Sequence, residues 1–156
     1  MKLNLGFEAV SYSGASKQVL RKDKHGRPYG EGKTSAQVAK ELEKRYKIVE
    51  TFYEINEDYI VNLIEEQAAI DIDDIMMMKK PSRKGMSFEE TDKIEHRFKY
   101  ALASGEFDGL IPGTPTTAAQ RGVSHLRRHP YAKRGPRPSF IDTDTYRQSF
   151  TVWMEE

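Results

Sequence analysis

The sequence predicts an α+β fold, with a small, mainly antiparallel sheet flanked by two or three helices and extended by basic arms. Three observations support this prediction. Strand-like patterns lie at both chain ends, apolar residues recur every three or four positions between them, and two long stretches are rich in Gly, Pro or cations. A chain of 156 residues suffices for one domain with a modest core, so we expect a single domain over residues 1–156.

The two predicted strands lie at opposite ends of the chain. In residues 3–10, Leu3, Leu5, Phe7 and Ala9 fall on one face of an extended segment. Residues 149–154 are β-prone, because aromatic and β-branched side chains suit a pleated surface. The apolar face of the first strand needs an element that packs on it. The last strand can pair with the first.

A long helical region is predicted from Thr34 to about Met77. Thr34 or Ser35 can cap its beginning, and Asn56 or Asp58 is a second cap signal, so the region is two consecutive helices or one bent helix. The apolar residues of its first part recur three or four apart, which places them on one stripe: Val38, Leu42, Tyr46 and Val49.

A further helix begins at the sequence Ser87-Phe88-Glu89-Glu90. This is a capping-box pattern, in which the Ser side chain and the second Glu satisfy each other's backbone donors. The sequence Ser104-Gly105 supplies its end. The apolar stripe of this helix consists of Phe88, Ile94, Phe98, Ala101 and Leu102.

Two segments lack periodicity and are predicted to be arms. Residues 11–33 are rich in Gly, Ser, Lys and Arg, which indicates an exposed loop or arm. Residues 109–141 contain Pro residues throughout and are predicted to be an extended basic arm. Thr116 to Gln120 can form at most a short helix inside it.

The charges are separated along the chain although the net charge is only +1. Between Ile48 and Met78 there are nine acids and no Lys or Arg: Glu50, Glu54, Glu57, Asp58, Glu65, Glu66, Asp71, Asp73 and Asp74. Between Gly109 and Ile141 there are six cations and no acid: Arg121, Arg127, Arg128, Lys133, Arg134 and Arg137.

This separation has three interpretations: cover within one chain, DNA contact by the basic segment, or contact between identical subunits. A DNA-binding domain would normally carry a clear net positive charge. Head-to-tail contact between acidic and basic faces generates closed rings and accounts for both halves at once. We therefore rank subunit contact first.

The sequence contains no convincing cofactor or catalytic motif. Gly30-Glu31-Gly32-Lys33-Thr34 has the wrong glycine spacing for a phosphate-binding loop, and Asp71, Asp73 and Asp74 lack the Gly and distal Glu of a calcium loop. His125 and His129 are flanked by arginines, which disfavour a divalent cation. We expect no cofactor and no metal, and we do not expect an enzyme.

The environment in which the chain works is also predicted. It contains no Cys, which fits a reducing compartment and excludes disulfides. No stretch approaches the roughly 18 apolar residues of a membrane span, and the beginning lacks the apolar run of a signal peptide. We expect a chain made in the cytoplasm with no membrane contact.

The trio Met76-Met77-Met78, beside Ile72 and Ile75, has two interpretations. Methionine fills irregular apolar gaps, so the trio is either an adaptable contact surface or filler of the core. The sequence does not favour one over the other.

Two portions near the end of the chain resemble proteins of tailed bacteriophages. Residues 107–119, 122–125 and 137–150, together with Val38 to Glu43, resemble uncharacterised phage virion proteins. The segment from Asp142 to Phe150 resembles the signature of phage neck and tail-completion proteins, with Asp144 where that signature has Gly. Its signature-turn residues are Asp142, Thr143, Tyr146, Ser149 and Phe150; Asp142 or Thr143 can cap the turn Thr145 to Gln148.

The resemblance implies a small sheet flanked by helices, self-assembly into a homo-oligomeric ring, and a role as tail terminator, tail-completion or neck ring protein. The implied partners are neighbouring neck or tail proteins and genomic DNA in the channel, with assembly in the host cytoplasm and residence in the virion. Alternative functions are a minor capsid or head-decorating protein, or a phage nucleic-acid-binding accessory protein that uses the cations between Arg121 and Arg137.

Overall fold

The computed structural model describes residues 2–10, 34–79, 88–123, 135–141 and 144–155. Their elements in chain order are β1 (Lys2–Phe7), α1 (Ser35–Tyr46), α2 (Ile48–Met76), α3 (Phe88–Ser104), α4 (Thr117–Arg121), α5 (Thr145–Gln148) and β2 (Phe150–Glu155). The predicted α+β class is confirmed. The predicted arm over 11–33 lies outside the described residues.

The strands at the two chain ends pair as expected, but the first ends at Phe7 rather than continuing to residue 10, and Ala9 is exposed beyond it. β1 and β2 are antiparallel, with Leu5 opposite Val152 and Phe7 opposite Phe150. Side chains alternate across a sheet, so these four residues share the face that packs on the core. The carboxylate of Glu95 on α3 accepts a hydrogen bond from the backbone N–H of Val152 at 3.0 Å, which fastens β2 to that helix.

An aromatic cluster forms the centre of the core. The ring of Phe98 on α3 is stacked on Phe150 at 3.8 Å between centroids and meets Phe52 of α2 edge-on at 5.1 Å. Phe7 is stacked on Tyr146 at 4.6 Å. The cluster therefore joins both strands to α2, α3 and α5, and it confirms the predicted apolar stripe of α3 at Phe98.

The predicted helical region is confirmed, with a break at Lys47 that was not predicted and a bend at Asn56, where the second cap signal was predicted. α1 ends at Tyr46, its C-cap Lys47 has a left-handed φ of 51°, and α2 begins at Ile48. The carboxylate of Glu43 caps the new helix, because it accepts the backbone N–H groups of Val49 and Glu50 at 2.9 and 3.1 Å. Asn56 only bends α2, with φ −111° and ψ 17°.

The beginning of α1 is as predicted. Thr34 is its N-cap, and the Thr34 hydroxyl and the Gln37 side chain form a capping box. Ser35 ties this end of the helix to the chain after β1, because its hydroxyl accepts the N–H of Val10 at 2.8 Å and donates to the carbonyl of Glu8. Ser87, the predicted cap of α3, lies outside the described residues.

An extended arm over 109–141 is not confirmed. The described residues at its two ends fold into turns and the predicted short helix α4, and Ile111 and Ala119 are buried. Thr114 closes the first turn, since its hydroxyl accepts the N–H of Gly109 at 3.0 Å and donates to the carbonyl of Ile111 at 2.7 Å. Residues 124–134 lie outside the described part of the chain.

The segment 135–141 is fastened to residues 105–123. Ser139 accepts the N–H of Thr116 at 3.0 Å and donates its own N–H to Asp108 at 3.3 Å. The guanidinium of Arg137 donates to the carbonyls of Val123, at 3.0 Å, and of Ile141. These contacts hold the two ends of the basic segment side by side.

Candidate interaction surface on helix α2

The second half of α2 exposes an apolar surface to solvent. Ile60, Leu63 and Gln67 are buried and face the core side of the helix. Val61, Ile64, Ile72 and Ile75 are between 38% and 58% exposed. A helix that is apolar on several faces is usually covered on all of them, and this one is covered on only one among the described residues.

The exposed apolar residues of α2 are regularly arranged. Val61, Ile64, Ala68, Ile72 and Ile75 follow one another three or four residues apart, and we call them the α2 stripe. At about 100° per residue they occupy roughly 80° of the circumference and lie about 100° away from the buried row. This spacing is typical of a helix face that packs against another element.

The methionine trio extends this surface beyond the end of α2. Met76, Met77 and Met78 are 76%, 73% and 97% exposed. The trio is therefore not filler of the core, and the contact-surface interpretation stays a prediction. Flexible, polarisable side chains at this position can adapt to an irregular partner.

Acidic side chains surround the α2 stripe. Glu54, Glu57, Glu65, Glu66 and Asp73 are exposed, whereas Asp71 and Asp74 are half-buried. Within the part of the chain that the structure describes, the acids of α2 form ion pairs only with the lysines that flank the helix. These pairs are Lys47 with Glu50 at 2.7 Å and Lys79 with Asp74 at 3.6 Å.

The predicted Asp71 to Asp74 cluster does not converge on one point. Asp71 accepts a hydrogen bond from Gln67 at 3.1 Å, and Asp74 faces Lys79. Among the described residues there is no group of three or more side chains that could hold a metal ion. The same part of the chain contains no helix that is long and apolar enough to cross a membrane.

The described cations of the basic segment occupy two different settings. Arg121 is exposed at the end of α4, whereas Arg137 is half-buried and donates to backbone carbonyls. Arg127, Arg128, Lys133 and Arg134 lie outside the described residues. The described parts of the chain therefore do not bring the acidic and basic groups together, and the contact role of these cations stays a prediction.

The signature turn lies in the core rather than on a contact surface. Tyr146, Ser149 and Phe150 are buried, and Asp142 and Thr143 lie outside the described residues. Asp144, which stands where the signature has Gly, adopts a left-handed conformation with φ 64°. The position thus does use the conformation that Gly favours.

The carboxylate of Asp144 stabilises this strained position. It accepts from the guanidinium of Arg147 at 2.7 Å and from the side chain of Gln148 at 3.0 Å. Burial acts to raise the pKa of Asp144, but these hydrogen bonds outweigh burial and hold the pKa below its usual value. Asp144 also borders an open groove, together with Val10. The Asp144 carboxylate is already hydrogen-bonded to Arg147 and Gln148 within the fold.

Sequence reasoning located the acids of α2 but missed the α2 stripe. The signal was available in part, because Val61, Ile64, Ala68, Ile72 and Ile75 have helical spacing. Apolar residues occur on the other faces of α2 too, so the sequence alone could not show which row is covered by the core.

Comparison with known proteins identifies no relative: no protein-family model, no curated protein and no solved structure matches the chain.

Proposed function

We propose that this chain is a structural protein of the tailed-phage head–tail junction, a tail terminator, tail-completion or neck ring protein, which acts by assembling with copies of itself into a ring. The observation that carries the proposal is the second half of α2, whose exposed apolar residues and acids have no covering element among the described residues. Apolar patches of this kind mark interaction sites.

The separation of charge supports identical copies as partners. The acids lie on α2, and six cations without an acid lie between Gly109 and Ile141. A contact between two different surfaces of the same chain is heterologous, and repeated heterologous contacts form a ring when the rotation closes. The same ring would meet neighbouring neck or tail proteins and enclose DNA in its channel.

The experiment reverses three cations together, as Arg127→Glu, Arg128→Glu and Arg134→Glu. We expect a variant with the native circular-dichroism spectrum that no longer enters phage particles, because its contact with the acidic α2 surface becomes repulsive. Exposed ion pairs contribute only about 0.2–1 kcal/mol each and are screened by salt, so wild-type assembly should also weaken above about 0.15 M ionic strength.

The nucleic-acid alternative predicts a different result for the same variant. It would still enter particles but would lose salt-sensitive affinity for DNA. Normal particle composition and infectivity of the triple variant would refute assembly through these cations. As a control, Lys93→Glu changes the same type of charge on α3, where the lysine already pairs with Glu89 and Glu90 at 3.7 and 3.8 Å.

A further inference from the structure

We infer that the α2 stripe, continued by Met76–Met78, is the apolar centre of a subunit contact, and that its occupant is the segment from Arg121 to Arg137 of a second copy. The inference rests on the self-assembly proposed above and adds the two surfaces that meet. In this subunit contact, apolar packing supplies most of the affinity, and the charges determine which surfaces pair.

The exposure of the α2 stripe and the methionines is unfavourable in water. Five of these side chains, Ile72, Ile75 and the three methionines, are between 57% and 97% exposed. Complete burial of an aliphatic side chain is worth about 1.5–3 kcal/mol. Covering this surface therefore releases more free energy than the exposed ion pairs can, and it favours a partner with apolar side chains of its own.

Charge excludes the simplest partner, which is the same face of α2 in another copy. Two α2 helices facing each other would bring the acids around each stripe, including Glu57 and Glu65, close to those of the other copy. Like charges at a contact destabilise it. A suitable occupant carries cations among apolar residues, and the segment 121–137 has that composition, with Val123, Leu126 and Tyr131 between its arginines and Lys133.

The two described attachment points of this segment, at Val123 and Arg137, are tied together near the beginning of α2 in their own chain. Arg137 ties Val123 to Ile141, and the neighbouring Phe140 packs on Tyr46 at 5.0 Å, beside the beginning of α2. Ile75 lies about 40 Å further along the helix at 1.5 Å per residue. A chain of eleven residues fixed at both ends extends by no more than about 20 Å, so the far end of the stripe is better served by another copy.

The test uses two full-length variants with complementary defects. The stripe variant carries Ile72→Ser and Ile75→Ser, and the cation variant carries Arg127→Glu, Arg128→Glu and Arg134→Glu. Ile55→Ser is the matched control, because Ile55 is 51% exposed on another face of the same helix. Masses are measured by sedimentation velocity over a range of protein concentrations, and urea unfolding checks that each variant is folded.

We expect each complementary variant alone to associate at least about 30-fold more weakly than the wild type, since each tenfold corresponds to about 1.4 kcal/mol. An equimolar mixture should form a heterodimer and nothing larger. The intact cations of the stripe variant can bind the intact stripe of the cation variant. The opposite contact, between the mutated stripe and the mutated cations, has a defect on both sides and should not form. The Ile55→Ser control should assemble as the wild type does.

Three results would overturn the inference, and they can be told apart. If the stripe variant assembles normally, the stripe is not the contact, although ring assembly stands. If both variants are defective but their mixture stays monomeric, the segment 121–137 of a second copy is not the occupant. If the wild type neither self-associates nor enters particles, the proposed function itself fails. Should the stripe variant unfold, Ile64→Ser replaces it under the same criteria.

Discussion

Removal of the Phe98 ring tests whether the aromatic cluster holds the fold together. Phe98 is 0% exposed and has five aromatic neighbours, from Phe150 at 3.8 Å to Tyr146 at 6.5 Å between centroids. Truncation of a buried Phe to Ala costs about 3–5 kcal/mol, and aromatic pairs add about 0.5–1.5 kcal/mol each beyond burial. We therefore expect Phe98→Ala to lower the free energy of unfolding by about 4–5 kcal/mol.

The assay is equilibrium urea unfolding at neutral pH, followed by far-UV circular dichroism. The expected loss is a large part of the roughly 5–15 kcal/mol that stabilises a typical domain, so Phe98→Leu, with a milder expected loss of about 1.5 kcal/mol, serves if the Ala variant does not fold. Tyr100→Ala is the control on the same helix; Tyr100 is 63% exposed and should change stability by no more than about 0.5 kcal/mol. A loss below about 2 kcal/mol for Phe98→Ala would contradict the packing described.

Two further predictions concern the sheet and one ion pair. A Cβ atom added at Gly6 would lie 2.6 Å from the ring of Trp153, the only tryptophan, so Gly6→Ala should displace the indole and shift its fluorescence emission to longer wavelength; unchanged emission would contradict the contact. The hydrogen bond from Arg97, at 3.0 Å, holds the pKa of Glu106 below its usual value. The contribution of this pair to the free energy of unfolding is present above a pH of about 4.3 and is lost as pH falls through the pKa of Glu106 in the folded state. Glu106→Gln should therefore lower the stability by up to about 1 kcal/mol at pH 7 and leave it unchanged in strong acid. An equal loss of stability at both pH values would refute this prediction.

The regular elements could be predicted because their signals are local. Phe98 belongs to a row of apolar residues at helical spacing, and Leu5 and Phe7 belong to a row that alternates, so each pattern specifies an element by itself. Pairing of the two end strands was also predictable, because the last segment is β-prone and could pair with the first. The capping box at Thr34 needed only residues within one turn.

Features that depend on particular side-chain contacts with the backbone were harder to predict. The helix break at Lys47 lies in a sequence without Gly or Pro, and it exists because the carboxylate of Glu43 caps the next helix at Val49 and Glu50. The second cap signal at Asn56 does mark a bend in α2, as the bent-helix alternative predicted, and the Asn56 side chain donates to the carbonyl of Phe52 at 2.8 Å.

The candidate site was predicted only in part. The acids of α2 and the helix that carries them followed from the sequence. The exposure of the methionine trio did not follow from the sequence, because Met76 and Met78 suit a core as well as a surface. Whether they are buried depends on where the end of α2 lies relative to the rest of the fold. The turn at Thr114 was not predicted, because the extended arm was inferred from the Pro content of the segment. The turn depends on specific hydrogen bonds of the Thr114 hydroxyl.

The pairing of β1 with β2 brings together residues that are made at very different times during protein synthesis. Phe7 is made long before its neighbours Tyr146 and Phe150. Closing so long a loop is entropically costly and slow, so the helices must wait for the last strand before their aromatic side chains are fully covered. A growing chain that has not yet reached Phe150 therefore lacks its closed aromatic core. The buried side of α2, opposite to the solvent, stays uncovered until that residue has been made.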